Sequence, residues 1–460
     1  MARKVFLSVL GAGFYGKCIY EKQCESGKFE SDYTRFIQCA TVRYINDKIQ
    51  KWQKGDVVYI LLTDKAINTN WKVDNNKRIN SKDVYEEYIG LEEELNRFQY
   101  PCEIIGKRIK DGKDEKEIWK IFESLYEIVK EGDELYLDIT HAFRYIPMFL
   151  MVFSNYVKFM KGCMTRSITY GNYEAKYMDG NTLKSPIVDI TSFSDLQDWT
   201  SALNEFRTNG SVEKLSNLYL PQSTQRLTLT IKKKGETDAN IKAYVEKKNT
   251  ADAKCLKEFI DSVVRFKNLL ITCQGKQILE GSSFNDYKKK LEAVKSVDKP
   301  QPFNHLIDEL EQSFKKFSDS ENVKNGLVAA EWCYDNGLYQ QSITLLEETI
   351  ISLICEKASL NWREQSYREL VSSALHINKL KLENNDESWI IPKAALQLDN
   401  PKEILRKILE LSIIGEISSD FGEIADLRNE YNHAAMLDNV KYTSDSLKKN
   451  IKIYIDKYKS

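Results

Sequence analysis

The chain has 460 residues, with 67 basic and 68 acidic side chains, a formal net charge of −1 and 42% hydrophobic residues. That length exceeds one compact core and calls for two or three domains, each with enough apolar surface to bury. The charge balance excludes a protein that coats nucleic acid non-specifically but leaves room for a local basic cleft, and no window is long and apolar enough to span a membrane.

The first 190 residues alternate strand and helix. "KVFLSVLG" (4–11), "DVVYILLT" (56–63), "CEIIGKRI" (102–109), "DELYLDIT" (133–140) and "SITYGNYEA" (167–175) read as strands, most of them near-continuous apolar runs of the kind buried in a parallel sheet. Between them, 36–52, 81–98 (with Ser81 as N-cap), 114–130 and 146–160 repeat apolar residues at helical spacing. This order predicts an α/β domain with a mostly parallel sheet and helices on both faces. After "PIVDITSFSDLQDW" (186–199) strand signals become rare, "RLTLTIKKKG" (226–235) being the one exception, and from about 250 onward the chain reads as all-α. A domain boundary is expected near 190–200. "KSVDKPQPF" (295–303), with two of the eight prolines, is the best linker in the second half.

Nine cysteines stand at positions 18, 24, 39, 102, 163, 255, 273, 333 and 355. None forms a Cys-x-x-Cys pair or lies near a histidine at zinc-ligand spacing. They read as reduced thiols of a soluble cytoplasmic protein, and no metal is expected. The N-terminal "MARKVFLSVLGAGF" has a basic start but no small-residue cleavage site after its apolar run.

Ligands of doubly wound sheets bind where strands end at their carboxyl side. Two strand-end loops carry chemistry. "LGAGFYG" (10–16) removes side chains at Gly11 and Gly13, where a ligand can approach backbone amides. As a dinucleotide fingerprint it is incomplete: Gly16 fills the third slot, but no acidic residue follows the second strand, which counts against a nicotinamide oxidoreductase. "DITHAFRYIP" (138–147) sets Asp138, Thr140, His141 and Arg144 within seven residues, and a hydroxyl, an imidazole and a guanidinium can all donate to phosphate oxygens or purine edges.

The third stretch is "DLRNEYNHAAM" (426–436). On a helix Arg428 stacks with Asn432 and Asn429 with His433, in neighbouring rows, while Ile424, Leu427, Tyr431 and Ala434 supply an apolar face. Cutting RNA without a metal requires a group to take the 2′-hydroxyl proton, one to protonate the leaving 5′-oxygen, and a cation beside the phosphorane. Histidine and arginine suit these tasks. One helix carries one histidine, so a symmetric dimer would supply two of each group.

These residues resemble a known family. "RNEYNH" matches the Arg-x4-His motif, with Asn after the Arg, of HEPN ribonucleases, and "GLYQQSITLLEETI" (337–350) resembles the first helix of that domain. "VFLSVLGAGFYG" and "DITHAFRYIP" resemble the two ligand loops of the CRISPR-associated Rossmann-fold (CARF) sensor domain; "LLTDKAINTNW" (61–71) and "SPIVDIT" (185–191) fit the same branch. The whole looks like a CARF–HEPN ribonuclease of type III CRISPR antiviral defence.

The resemblance implies an N-terminal Rossmann-like CARF domain (1–195), a helical connector to which no role is assigned (196–320) and an all-helical HEPN ribonuclease domain (321–460). It implies a homodimer, or a higher oligomer, that cuts single-stranded RNA in a composite site without metal or other cofactor once a cyclic oligoadenylate binds, cyclic tetra-adenylate first and cyclic hexa-adenylate second. Arg428, Asn429, His433 and, more weakly, Asn432 would be catalytic. Gly11, Ala12, Gly13, Asp138, Thr140, His141 and Arg144 would line the activator site. Two positions depart from the pattern: Ala12 stands where relatives often have a hydroxyl residue, and Ala142 where they often have glycine. The first weakens any claim that the sensor degrades its own activator. The alternative reading is a nucleotide-sensing regulator whose helical half binds partners without catalysis.

Overall fold

A computed structural model of the chain describes residues 2–24, 27–73, 77–79, 85–141, 145–216, 238–297, 299, 301–433, 436 and 443–459. It divides into two compact units, one of residues 1–198 and 220–251, the other of 199–219 and 252–460.

The first unit is built on a sheet of nine strands among the described residues: β1 (Lys4–Leu10), β2 (Cys18–Cys24), β3 (Gly27–Thr34), β4 (Val57–Leu62), β7 (Glu103–Arg108), β8 (Glu134–Asp138), β9 (Met164–Gly171), β10 (Tyr177–Asp179) and β11 (Thr182–Asp189). Two more strands, β5 (Lys77–Ile79) and β6 (Tyr85–Glu87), form a separate hairpin. The order in the large sheet is β3-β2-β11-β9-β8-β1-β4-β7, with β10 beside β11. From β9 to β7 all pairs are parallel; β11 turns antiparallel to β9 and starts a short extension.

β1 lies at the centre and every one of its residues is buried, so its apolar run serves both faces at once. Val5, Leu7 and Val9 pack with Ile121, Leu125, Leu150 and Phe153 from the helices Glu115–Ile128 and Ile146–Lys161. Phe6 and Leu10 point the other way, into a second core with Ile37, Ala40, Trp52 and Tyr88. Helices therefore cover both faces. Each starts and stops where local chemistry dictates. Asp114 caps Glu115–Ile128 by accepting from the Glu117 amide at 2.8 Å. Ile146–Lys161 has Pro147 in its first turn and ends on Gly162 in the left-handed conformation.

The expected helix over 81–98 is corrected. Residues 85–87 are strand β6, and among the described residues of the stretch only Leu91–Asn96 is helical; 81–84, Ser81 included, fall outside the described residues. At Gly90 the backbone is extended and so close to the Trp71 carbonyl that a side chain would strike it, and the chain before it runs straight to bury Tyr88. The expected helix over 36–52 is Ile37–Tyr44 continued by a wider turn, Ile45–Ile49. The expected strand over 167–175 is shifted to Met164–Gly171, with a short helical turn at Tyr173–Ala175.

The second unit is all-helical among its described residues. The periodic stretch 322–358 breaks into Asn325–Asp335 and Tyr339–Lys357 because Gly337 adopts a left-handed φ of 75°. Likewise 401–417 divides at Leu411, whose ψ of 125° ends the helix Pro401–Leu409 and opens Ser412–Asn432. Tyr339–Lys357 and Gln365–Lys379 both pack against Ser412–Asn432. "RLTLTIKKKG" (226–235) lies outside the described residues. No described helix is long and apolar enough to cross a membrane.

Candidate functional sites

The carboxyl ends of the central strands β1, β4 and β8 open on one cavity of about 860 Å³, lined among others by Gly11, Ala12, Tyr15, Thr63, Lys65, Lys113, Thr140, His141 and Tyr145. Thus Gly11, Ala12, Thr140 and His141, expected at this site from the sequence, do share one wall. Gly13 is exposed just beyond them, and Arg144 lies outside the described residues.

Asp138 has a different place from the one its company in the sequence suggests. It is buried at the end of β8 and does not line the cavity. Ser8 donates to its carboxylate at 2.6 Å, and the Thr140 amide at 3.2 Å; the Thr140 hydroxyl donates to it as well. Burial still outweighs these donors and raises its pKa. Thr140 in turn accepts from the Gly171 amide at 2.8 Å, and Gln38 donates to Ser8 at 3.2 Å. The carboxyl is a buttress that fixes the strand ends beneath the cavity.

His141 stacks on Tyr15, ring centroids 4.2 Å apart and planes 26° from parallel. Burial pushes its pKa down to about 4, so the imidazole is neutral at pH 7. Its Nε2 atom is buried and has no hydrogen-bond partner among the described residues. Gly11 is required here: a Cβ on it would lie 2.5 Å from the Tyr15 hydroxyl. The flexible chains of Lys65 and Lys113 bring positive charge to the rim, where Asp111 also stands and pairs with Lys113 at 3.4 Å. The cavity can take an anionic ligand with flat rings: amides and lysines for the anion, Tyr15 and His141 for the rings.

In the second unit, Ser412–Asn432 buries Ile424 and Leu427, as its apolar spacing suggests; Ala434 lies outside the described residues. Arg428 is half-buried and donates to Glu347 of Tyr339–Lys357 at 3.0 Å. Glu347 is buried, and that burial raises its pKa even with Arg428 beside it. The Arg428 Nε atom has no hydrogen-bond partner among the described residues. Asn429, Asn432 and His433 are exposed; Asn432 accepts from Gln340 at 2.9 Å, and His433 caps the helix, its amide donating to the Asn429 carbonyl at 2.9 Å. The helix end thus presents an imidazole, two amides and a guanidinium to solvent. Among the described residues no three His, Cys, Asp or Glu side chains are placed to hold a metal ion.

Sequence reasoning missed Tyr15, Asn70, Arg78, Gln340 and Glu347. Tyr15, Asn70, Gln340 and Glu347 all lie within the motif stretches 10–16, 61–71 and 337–350, but stacking, loop-tying and pairing between helices are tertiary facts. Glu347 and Gln340 sit two turns apart on one helix face, a spacing that had no known partner until the helix Ser412–Asn432 was laid against it.

Comparison with known proteins bears on the first unit most directly. Residues 5–173 match the family model described as CRISPR system endoribonuclease Csx1, CARF domain. A CRISPR-associated protein of Methanocaldococcus jannaschii is 25% identical over 388 residues, covering 78% of this chain. The chain spans 55% of that relative's length. Among solved structures, Enterococcus italicus Csm6 bound to cyclic hexa-2′-fluoro-hexa-dAMP matches 99% of this chain and 92% of that one, at 13% identity and a TM-score of 0.39. The strand-end loops and nearly all of the buried β1 fall within the matched segment, so the first unit is similar to the CARF domain of CRISPR-associated proteins.

Proposed function

We propose that this protein is a cyclic-oligoadenylate-activated endoribonuclease, with the sensor in the first unit and the nuclease in the second. The observation that supports sensing most is the cavity beside Gly11, Thr140 and His141 within the segment that matches the CARF model. A ring of adenylates presents phosphodiesters to backbone amides and lysines, and purines to Tyr15 and the neutral His141.

Cleavage is assigned to Arg428 and His433. In this mechanism the 2′-oxygen of one nucleotide attacks the adjacent phosphorus, and the P–O5′ bond breaks. One imidazole takes the 2′-hydroxyl proton and a proton is delivered to the departing 5′-oxygen. The products are a 2′,3′-cyclic phosphate and a 5′-hydroxyl. Arg428, held by Glu347, steadies the added charge on the phosphorane. Asn429 and Asn432 supply amide donors for the same strand. One chain provides one such imidazole, so the reading calls for a homodimer in which two helix ends meet. Coupling requires that the ring bind the cutting state more tightly than the resting one.

The test is labelled single-stranded RNA incubated with the protein in EDTA, with and without cyclic tetra- and hexa-adenylate. Activator-dependent cutting that ends in a cyclic phosphate is expected. Binding of a ring without cutting, together with a stoichiometric protein partner, would favour the non-catalytic regulator instead.

A further inference from the structure

The Gly11–Gly13 turn is held from behind in an unusual way. Asn70 Nδ2 donates to the Gly11 carbonyl at 2.7 Å and to the Gly13 carbonyl at 2.8 Å. Arg78 donates to the Ala12 carbonyl at 2.9 Å and to the Gly13 carbonyl at 3.0 Å. Three consecutive carbonyls are thus captured on one side. Arg78 also donates to Asn70 Oδ1, as does the Tyr88 hydroxyl at 2.7 Å, so the two clamp residues orient each other. Asn70 is fully buried.

Peptide planarity gives this arrangement a consequence. In a trans peptide the carbonyl and the following N–H point in opposite directions, and no described peptide is cis. Capturing the carbonyls of Gly11, Ala12 and Gly13 therefore turns the amides of Ala12, Gly13 and Phe14 away from the clamp. Successive amides turned to one side make an anion-binding concavity.

Arg78 belongs to β5, and directly opposite it on β6 stands Glu86. Glu86 pairs at 3.0 Å with Arg35, which donates to the Tyr15 carbonyl at 2.7 Å. The central residue pair of one small hairpin thus reaches both ends of the loop. Both guanidiniums also lie over aromatic rings: Arg35 is 5.1 Å from Phe14 and 4.6 Å from Tyr88, and Arg78 is 5.6 Å and 5.2 Å from the same two. The hairpin is too small to be stable alone; its role has to be sought in what it holds.

We propose that the β5–β6 hairpin is a strap that sets the Gly11–Tyr15 loop in its ligand-binding form, with Arg78 as the positioning residue. This rests on the cyclic-oligoadenylate reading of the cavity. Arg78 is not required to touch the ligand; its planar fork serves several carbonyls at once, which a lysine cannot reproduce.

The experiment compares the full-length protein with Arg78→Met and Arg78→Lys, by titration with cyclic tetra- and hexa-adenylate and by timed chymotrypsin digestion read by mass spectrometry. Arg78→Met is expected to weaken ring binding tenfold or more, with melting temperature within a few degrees of wild type. Cleavage after Phe14 or Tyr15 should be faster than in wild type without ligand. Arg78→Lys should recover little of the affinity. Glu86→Gln, which keeps an acceptor for Arg35 but removes the charge, should weaken binding a few-fold. Wild-type affinity in Arg78→Met, or full recovery by lysine, overturns the strap, the second because it reduces Arg78 to a charge. If wild type binds neither ring, the sensing reading fails, and the ligand-free digestion still decides the strap: unchanged cleavage after Phe14 and Tyr15 rejects it.

Discussion

The cavity of the first unit and the helix end of the second are built to opposite plans. Around the cavity nearly every group is fixed: Asp138 holds Ser8 and Thr140, Asn70 and Arg78 hold the glycine loop, and Tyr15 covers His141. At the end of Ser412–Asn432, Asn429 and His433 stand in solvent, while Arg428 has Glu347 and Asn432 has Gln340. A site assembled in advance binds with little ordering cost. An open row of donors is, in the proposed reading, a half-site that becomes a reaction centre only when a second copy closes over it.

That contrast can be broken by substitution. The largest effect is expected from His433→Ala, which should lower activator-dependent RNA cleavage by roughly 10²–10⁴-fold, the usual worth of a general acid or base, and leave ring affinity unchanged. Cleavage at the wild-type rate would remove the active site from this helix.

Acid should damage the first unit through His141. Its pKa is pushed down to about 4 from 6.5, so below pH 6.5 the unfolded chain takes up a proton that the folded chain resists. Stability is lost as pH falls from about 6.5 to about 4 and levels off below that. With its partial exposure discounted, the loss is on the order of 2 kcal/mol. Melting curves of wild type and His141→Gln at pH 7.5 and pH 5 should show a smaller drop for the variant.

Gly11→Ala comes next. Its methyl group displaces Tyr15 from His141, and ring binding should weaken about tenfold, near 1.4 kcal/mol, by the same titration. The smallest effect belongs to Glu347→Gln, which keeps an acceptor for Arg428 but removes the charge. Cleavage should fall a few-fold, with ring affinity untouched. A fall as large as that of His433→Ala would make Glu347 a participant in the chemistry.

The two plans also explain what could be read from the residues alone. β1, β4 and β8 were plain because burial on both faces leaves an unbroken apolar run. β2 and β3 gave no such signal: they lie in the extension of the sheet, their burial is mixed, and their charged residues pair with one another. β6 was mistaken for helix because the apolar spacing of 81–98 fits a helical face, while Gly90 and the burial of Tyr88 set the backbone straight. At the sites, local motifs were legible and their supports were not. Gly11, Thr140 and His141 cluster within short stretches of chain, whereas Asn70 and Arg78 reach them from far along the sequence. Asp138 neighbours the expected ligand contacts in sequence, yet two residues along a strand end separate it from Thr140 on the cavity wall.

The buttress under the cavity has a bearing on which sequences this fold can tolerate. Gln38, Ser8, Asp138, Thr140 and the Gly171 amide form one unbroken relay across three adjacent strands and a helix. Gln38, Ser8 and Asp138 cannot drift singly, because each is buried and its loss strands a neighbour's polar atom away from water. Variation at this floor should therefore arrive in linked sets, while the rim lysines above remain free to change one at a time.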